Sequence, residues 1–369
     1  MNKNNADKRR NKTENCYILG IDTSCDDTSV AITRNNQVLA NVVSSQDDLH
    51  MSFGGVVPDI ARNAHRERLP KVIEEAFSRA AKIDKSVKPE AINAVAVTVG
   101  PGLAIALGVG IEGAINFADK YSIPLISVNH MEGHLLSALA ANNKGAKGMD
   151  YRNLKYPALG VLISGGHTEL VLINNWRNYQ IVAETMDDAM GEAYDKVARM
   201  LGLGFPGAKA LTEMAKQGDP TKFSIPVPLK GDKREAFSYS GLKTALYYLV
   251  KKMKEAKPLT RQQIADIAAG FQVSAVTHLL DRITMLTAKY KPNTILLGGG
   301  VVSNAYVRKR VRDFCKQKKL ELKYAYTKKM FVDNAAMIAL VGYYKYLEAD
   351  FTETDKIDRS PRLTLTQFI

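Results

Sequence analysis

The stretch YILGIDTSCDDTSVAI, residues 17–32, is an apolar run, a short turn of hydroxyls and acids, and a returning apolar run. Its Tyr, Ile, Leu and Val favour pleated strands, and the polar residues between them favour a tight turn. The reading is a strand over residues 17–22, a turn over 23–28 and a second strand over 29–32. The pattern recurs in LGVLISGGHTELVLI, residues 159–173, where Ser164-Gly165-Gly166-His167-Thr168 is the turn. After the first copy, residues 61–83 carry apolar positions at helical spacing. A buried-type strand over 94–99 ends at Gly100-Pro101-Gly102, and a Gly/Ala-rich helix over 104–119 follows. After the second copy, an apolar strand over 294–297 runs into Gly298-Gly299-Gly300, and the next helix has Asn304 near its start. Two such openings, each followed by α and β elements, predict a duplicated α/β domain with a cleft between the halves. The expected division is a basic disordered tail over 1–16, one half over 17–128, a second over 129–345 that carries the site, and a tail over 346–369.

A chain of 369 residues suits two such halves, and 46% hydrophobic with 24% charged residues is ordinary for globular domains. The three cysteines, Cys16, Cys25 and Cys315, form no C-x-x-C pair. That argues against a disulfide framework or a zinc ribbon, and a reducing, cytoplasmic setting is the expectation. Residues 1–15 are polar and basic without an apolar segment, so no secretory signal is read there. No run of about 18 apolar residues marks a membrane span. A net charge of +13 favours a polyanionic partner such as a nucleic acid; a merely solubilising surface is the alternative.

In His130-Met131-Glu132-Gly133-His134 the histidines at i and i+4 share a helix face and are able to share a metal. A helix turns about 100° per residue, which sets Glu132 roughly 180° from the midline of the pair. A metallopeptidase places its acid at i+1, within reach of a bound water, so Glu132 does not fit that role. Taken alone, the histidines read as surface or capping residues, and Asp333 reads as a helix N-cap before an apolar run. The turns at 164–166 and 298–300 suit either the approach of a nucleotide phosphate or ordinary sheet connections. Asp188, Glu192 and Asp195 recur at helical spacing, as cleft-lining acids or as a solvated face with Glu192 supporting Lys196. Lys251–Lys254 and Arg308–Lys319 are basic runs that suit phosphate contacts or solvated helix faces.

The segments GIDTSCDDTSVAI, HMSFGGVVPDIARNAH, TVGPGL, NHMEGHLL, LISGGHTEL, DDAMGEAYDK, FSYSGLKT, GGGVVSN and VDNAAMIA follow one another in that order. Together they resemble the TsaD family, tRNA threonylcarbamoyltransferases once described as O-sialoglycoprotein endopeptidases. The resemblance spans about residue 18 to about residue 342. It implies duplicated ribonuclease-H-like domains of the actin/hexokinase superfamily with an interdomain cleft. It implies transfer of threonylcarbamoyl from L-threonylcarbamoyladenylate to N6 of adenosine 37, in tRNAs reading codons that begin with A, with release of AMP. His130, His134 and Asp333 become the catalytic ligands of one divalent metal ion, iron or zinc. Leu162, Ile163, Ser164, Gly165, Gly166, Asp195, Gly207, Ala208 and Asn304 become the adenylate-binding residues. The implied partners are tRNA and, as in bacterial members, a paralogous pseudo-enzyme and a small ATPase; mitochondrial members act as homodimers. The rival readings are a metallopeptidase and an actin-superfamily small-molecule kinase. The chain departs from the family at Ala208, where a second glycine is common, at Asp27, where Glu is common, and at Asn129, where His is common.

Overall fold

Strand β1 (Tyr17–Asp22) is buried along its whole length because it is the middle strand of a sheet covered on both faces. The computed structural model describes residues 15–50, 53, 55–146, 148–204 and 206–367. Residues 1–14 of the expected tail lie outside the described residues, and Cys16 is already buried. Strands β2 (Thr28–Arg34) and β3 (Gln37–Ser44) continue from β1 as antiparallel neighbours. Helix α1 (Pro58–Ile83) begins three residues before the expected start, with Pro58 in its first turn, where the missing N–H costs nothing. Then follow β4 (Ala94–Gly100), α2 (Ala104–Tyr121), β5 (Leu125–Asn129) and α3 (His130–Leu136). Both β4 and β5 run parallel to β1, and the sheet order is β3-β2-β1-β4-β5.

The second sheet repeats that plan. Strands β6 (Ala158–Ile163), β7 (Thr168–Asn175) and β8 (Asn178–Thr185) form the antiparallel meander. Helices α4 (Met190–Met200) and α5 (Ala208–Ala215), the two-residue edge strand β9 (Ala236–Phe237), α6 (Ser240–Ala256) and α7 (Arg261–Tyr290) come next. Then β10 (Thr294–Gly298), α8 (Ala305–Lys318) and β11 (Glu321–Tyr324) complete a sheet ordered β11-β10-β6-β7-β8-β9. Apart from β9, the order β8-β7-β6-β10-β11 matches β3-β2-β1-β4-β5 in sequence and direction. The duplication read from the two turns is present in the strand order itself.

Packing does not follow chain order at the end of the chain. Helix α9 (Ala335–Leu347) lies on the first sheet, against β1, β2, β4 and β5. Its approach is close enough that a Cβ on Gly20 of β1 would stand 2.5 Å from the Ala335 carbonyl oxygen and 2.8 Å from the Ala339 Cβ. By packing, then, α9 joins the first half, although the expected boundary gave it to residues 129–345. The stretch expected as a tail is also engaged. Thr352 N–H donates to Leu125 O at 2.8 Å, Ser360 N–H donates to Val99 O at 2.6 Å, and Leu363 and Leu365 are buried. Helix α3 sits between α9 and strands β6 and β10, at the joint of the two halves. No described helix is long and apolar enough to cross a membrane.

Candidate metal centre

Helix α3 starts where β5 ends, and Asn129 makes that start. Its Oδ1 accepts the Met131 N–H at 2.8 Å and the Glu132 N–H at 3.3 Å, capping two of the free donors of the first turn. The departure from the family pattern at 129 therefore supplies a good N-cap. One turn of helix sets His130 and His134 side by side, with ring centroids 4.7 Å apart and planes at 83°.

Taken alone, Asp333 reads as the N-cap of α9; the structure gives that role to Asn334. The Asn334 Oδ1 accepts the N–H groups of Ala336 at 3.1 Å and Met337 at 3.3 Å. Asp333, one residue earlier, is left free to face the histidines. Its Oδ1 is 3.1 Å from His134 Nε2 and 3.4 Å from His130 Nε2. Ligand-type atoms of His130, His134 and Asp333 all lie within 4.8 Å of one another. The histidine side chains are 9% and 0% exposed and that of Asp333 is 32% exposed, so the cluster is walled on one side and open on the other. Two imidazoles and one carboxylate fit a zinc or non-haem iron ion and leave coordination positions for water or substrate.

Behind His130 stands the first turn of the chain. His130 Nδ1 is 3.1 Å from Ser24 Oγ and 3.6 Å from Asp22 Oδ2. A buried carboxylate on the far nitrogen is the usual device for orienting a metal-binding imidazole. Reading the motifs singly missed Asp22 and Ser24; the available signal was the acid-and-hydroxyl turn at the end of β1. Burial disfavours the His130 cation, but Asp333 and Asp22 outweigh it and hold the imidazole at about 10. Desolvation likewise pushes Asp333 up, yet the two histidines keep it well below the usual carboxylate range.

Glu132 faces away, as the helical spacing requires. Its Oε1 accepts the Tyr179 hydroxyl at 2.9 Å and lies 3.9 Å from Arg177 Nε, and the residue is 5% exposed. It is engaged on the side of α3 opposite the histidines.

The residues expected at the adenylate fall into connected groups. Leu162 and Ile163 are the buried end of β6, and Gly298 of β10 pairs with Leu162. Ser164 closes the next turn: its N–H donates to His167 O at 2.8 Å, and its Oγ accepts the His167 N–H at 3.0 Å. Gly165 and Gly166 face open space. Gly298 and Gly299 do not. A Cβ on Gly298 would run into the His134 carbonyl oxygen, and one on Gly299, at φ 95°, would stand 2.5 Å from Ile163 O. Those two glycines bring β10 against α3 and β6, and only Gly300 has free space beside it.

Asp195 Oδ1 accepts the N–H groups of Gly207 at 2.9 Å and Ala208 at 2.8 Å, fixing the start of α5. Phe205, in the same motif, lies outside the described residues. Asn304 is buried and caps α8 through the Tyr306 N–H at 2.9 Å, while its Nδ2 donates to Gln272 Oε1 at 2.9 Å and Thr212 Oγ1 at 3.2 Å. The acids of the 187–196 segment are paired within the fold. Asp188 binds Lys196 at 2.8 Å and Lys243 at 2.6 Å, and Glu192 binds Lys196 at 2.7 Å, the expected i+4 support. In the basic run of α8, Arg308, Arg310 and Arg312 lie over Phe331, Tyr306 and Tyr324, which leaves its lysines as the freer cations.

Comparison with known proteins identifies the family. The family model described as TsaD, tRNA N6-adenosine threonylcarbamoyltransferase, matches residues 37–340. A protein of that name from Thermosipho africanus is 42% identical over 330 residues, 89% of this chain and 94% of its own. Another from Thermosipho melanesiensis is 42% identical over 349 residues, 94% and 99% of the two chains. Among solved structures, HypF of T. kodakarensis superposes with a TM-score of 0.57 at 14% identity, covering 91% of this chain and 48% of that one. Full-length HypF in a phosphate- and nucleotide-bound form gives 0.55 at 14%, covering 90% and 56%. The chain spans about half the length of those two structures, and the likeness is one of fold. The chain belongs to the TsaD family of tRNA N6-adenosine threonylcarbamoyltransferases.

Proposed function

We propose that this enzyme transfers the threonylcarbamoyl group of L-threonylcarbamoyladenylate to N6 of adenosine 37, in tRNAs reading codons that begin with A. The observation that carries the reading is the meeting of His130, His134 and Asp333 between duplicated halves, in a chain of this family. The N6 amine attacks the carbamoyl carbon. An N–C bond forms, the C–O bond to phosphate breaks, the amine loses a proton, and AMP leaves with the electron pair.

His130, His134 and Asp333 would hold one divalent ion, iron or zinc, which supplies Lewis acidity toward a carbonyl or phosphoryl oxygen. Asp22 and Ser24 hold His130 in the orientation this needs. Leu162 and Ile163 wall the adenylate, and the open turn Ser164-Gly165-Gly166 offers backbone to its phosphate. Asp195 acts through Gly207 and Ala208, whose N–H groups it fixes, and Asn304 acts by joining α8 to α7 along the same wall. An aromatic amine is a weak nucleophile, so alignment with the carbonyl matters more than a strong base. The exposed lysines Lys251, Lys252, Lys316, Lys318 and Lys319 suit tRNA phosphates. An unstacked loop base suits a cleft of this kind. A paralogous pseudo-enzyme and a small ATPase are the proposed protein partners, a homodimer the other arrangement, and the cytoplasm the setting.

The engagement of Glu132 with Tyr179 speaks against a peptidase, since it leaves the pair without that base. A small-molecule kinase would turn over ATP with a simple alcohol. The test supplies purified protein with L-threonylcarbamoyladenylate and unmodified tRNA, with and without the partner proteins, and measures the modified nucleoside by mass spectrometry. Formation of the nucleoside supports the reading. ATP turnover or proteolysis without it refutes the reading.

A further inference from the structure

Helix α3 has only seven residues, and all of them are buried. Its front carries the two histidines. Its back carries Glu132, which is tied to the hairpin between β7 and β8 by the Tyr179 hydroxyl at 2.9 Å and Arg177 Nε at 3.9 Å. Arg177 in turn binds Asp350 through Nη1 at 2.7 Å, and the same Asp350 carboxylate lies 3.5 Å from Lys345 Nζ. Lys345 is 2% exposed and donates to Ser127 O of β5 at 2.7 Å. The chain of contacts thus leaves the metal helix, crosses the second sheet's hairpin, reaches the end of α9 and returns to the strand that leads into α3.

The geometry points to Arg177 and Tyr179 as positioning residues for the metal centre, acting through Glu132 to set the rotation of α3 about its axis. Side-chain tips lie about 6 Å from a helix axis, so a rotation of about 5° moves an imidazole nitrogen by about 0.5 Å. Metal–ligand distances tolerate only about 0.2 Å. Gly133 makes the helix sensitive to such a turn: a Cβ there would already be 3.0 Å from the Ile338 Cδ1 and Met337 Cγ, so α3 lies directly on α9, which carries Asp333 just before its first turn. A buried carboxyl hydrogen-bonded by a phenol, with a guanidinium 3.9 Å away, fixes a direction that packing alone does not provide. The substitutions Tyr179→Phe, Arg177→Met and Arg177→Lys add no bulk, so they do not overpack the site.

This inference rests on the proposed metal reading, and the experiment separates the two. Zinc affinity is measured by chelator competition for wild type, Tyr179→Phe, Arg177→Met, Arg177→Lys and His134→Ala, with melting temperatures and kinetics on tRNA. The expected result is a roughly tenfold loss of zinc affinity in Tyr179→Phe and Arg177→Met, the scale seen for residues one step behind a ligand. The same variants are expected to lose kcat with KM for tRNA unchanged, and Arg177→Lys to recover most of the affinity. Wild-type zinc affinity in folded Tyr179→Phe and Arg177→Met would overturn the inference, as would a loss that only follows the folded fraction. A His134→Ala protein that still binds zinc like wild type would overturn the metal reading itself.

Discussion

Asp333 Oδ1 stands 3.1 Å from His134 Nε2 although 199 residues separate the two in the chain. The contact exists because α9 folds back over the first sheet and ends its approach at α3. Everything that fixes the start of α9 therefore bears on the proposed metal centre.

Asn334 is the first such element. It is fully buried, caps α9, and accepts from Asn41 Nδ2 at 3.3 Å while its own Nδ2 donates to Val332 O at 2.8 Å. Asn334→Ala is expected to cost about 1–2 kcal/mol through the lost cap and hydrogen bonds. It should also weaken zinc binding, although Asn334 contacts no metal. Urea denaturation and chelator competition check the two effects.

How much of this was legible in the sequence depended on distance along the chain. The two β-turn-β units were readable because strand alternation and turn chemistry are local signals, and the strand order bears them out. The histidine pair was readable as a shared face because i and i+4 meet on any helix. Asp333 was not. Asp and Asn cap helices almost equally well, so adjacent Asp333 and Asn334 could not be ranked without knowing which one α9 turns toward α3. The Ala-rich α9 is suited to close packing on either sheet, and only the fit of Gly20 against Ala335 and Ala339 shows which it covers. Gly298 and Gly299 read either as a ligand-facing turn or as a sheet connection, because a glycine needed for close backbone packing looks the same in sequence as one needed for a phosphate.

Gly298 supplies the next prediction. A methyl group there would push against the His134 carbonyl oxygen, which is backbone and has little room to yield. Gly298→Ala should destabilise the protein by about 1–3 kcal/mol. It should also reduce metal affinity more than Gly300→Ala, whose added methyl meets open space. Equal metal affinities for the two variants would contradict this account of the glycine run.

A pH dependence follows from Glu169 on β7, which pairs across the sheet with Glu184 on β8. Burial, with Glu184 adding to it, pushes the Glu169 carboxyl up to about 7. The folded state then holds a proton that the unfolded chain releases near its ordinary value of 4.5. Stability from this group is complete below about 4.5, declines as pH rises and is lost above about 7. Glu169→Gln should flatten the decline and raise stability at pH 8 by up to about 3 kcal/mol. Urea midpoints at pH 5 and pH 8 for the two proteins measure it. An identical pH slope in both would contradict the assignment.

We propose that His130, His134 and Asp333 form a metal centre serving threonylcarbamoyl transfer to tRNA. The most direct measurement is the modified nucleoside formed from L-threonylcarbamoyladenylate and unmodified tRNA, by wild type and His134→Ala side by side, with metal content determined on the same samples. Wild type is expected to carry a divalent ion and make the nucleoside, and His134→Ala to lose the ion and at least about 100-fold in rate, beyond the effect of altering a residue behind a ligand. A His134→Ala protein that keeps wild-type activity would contradict it.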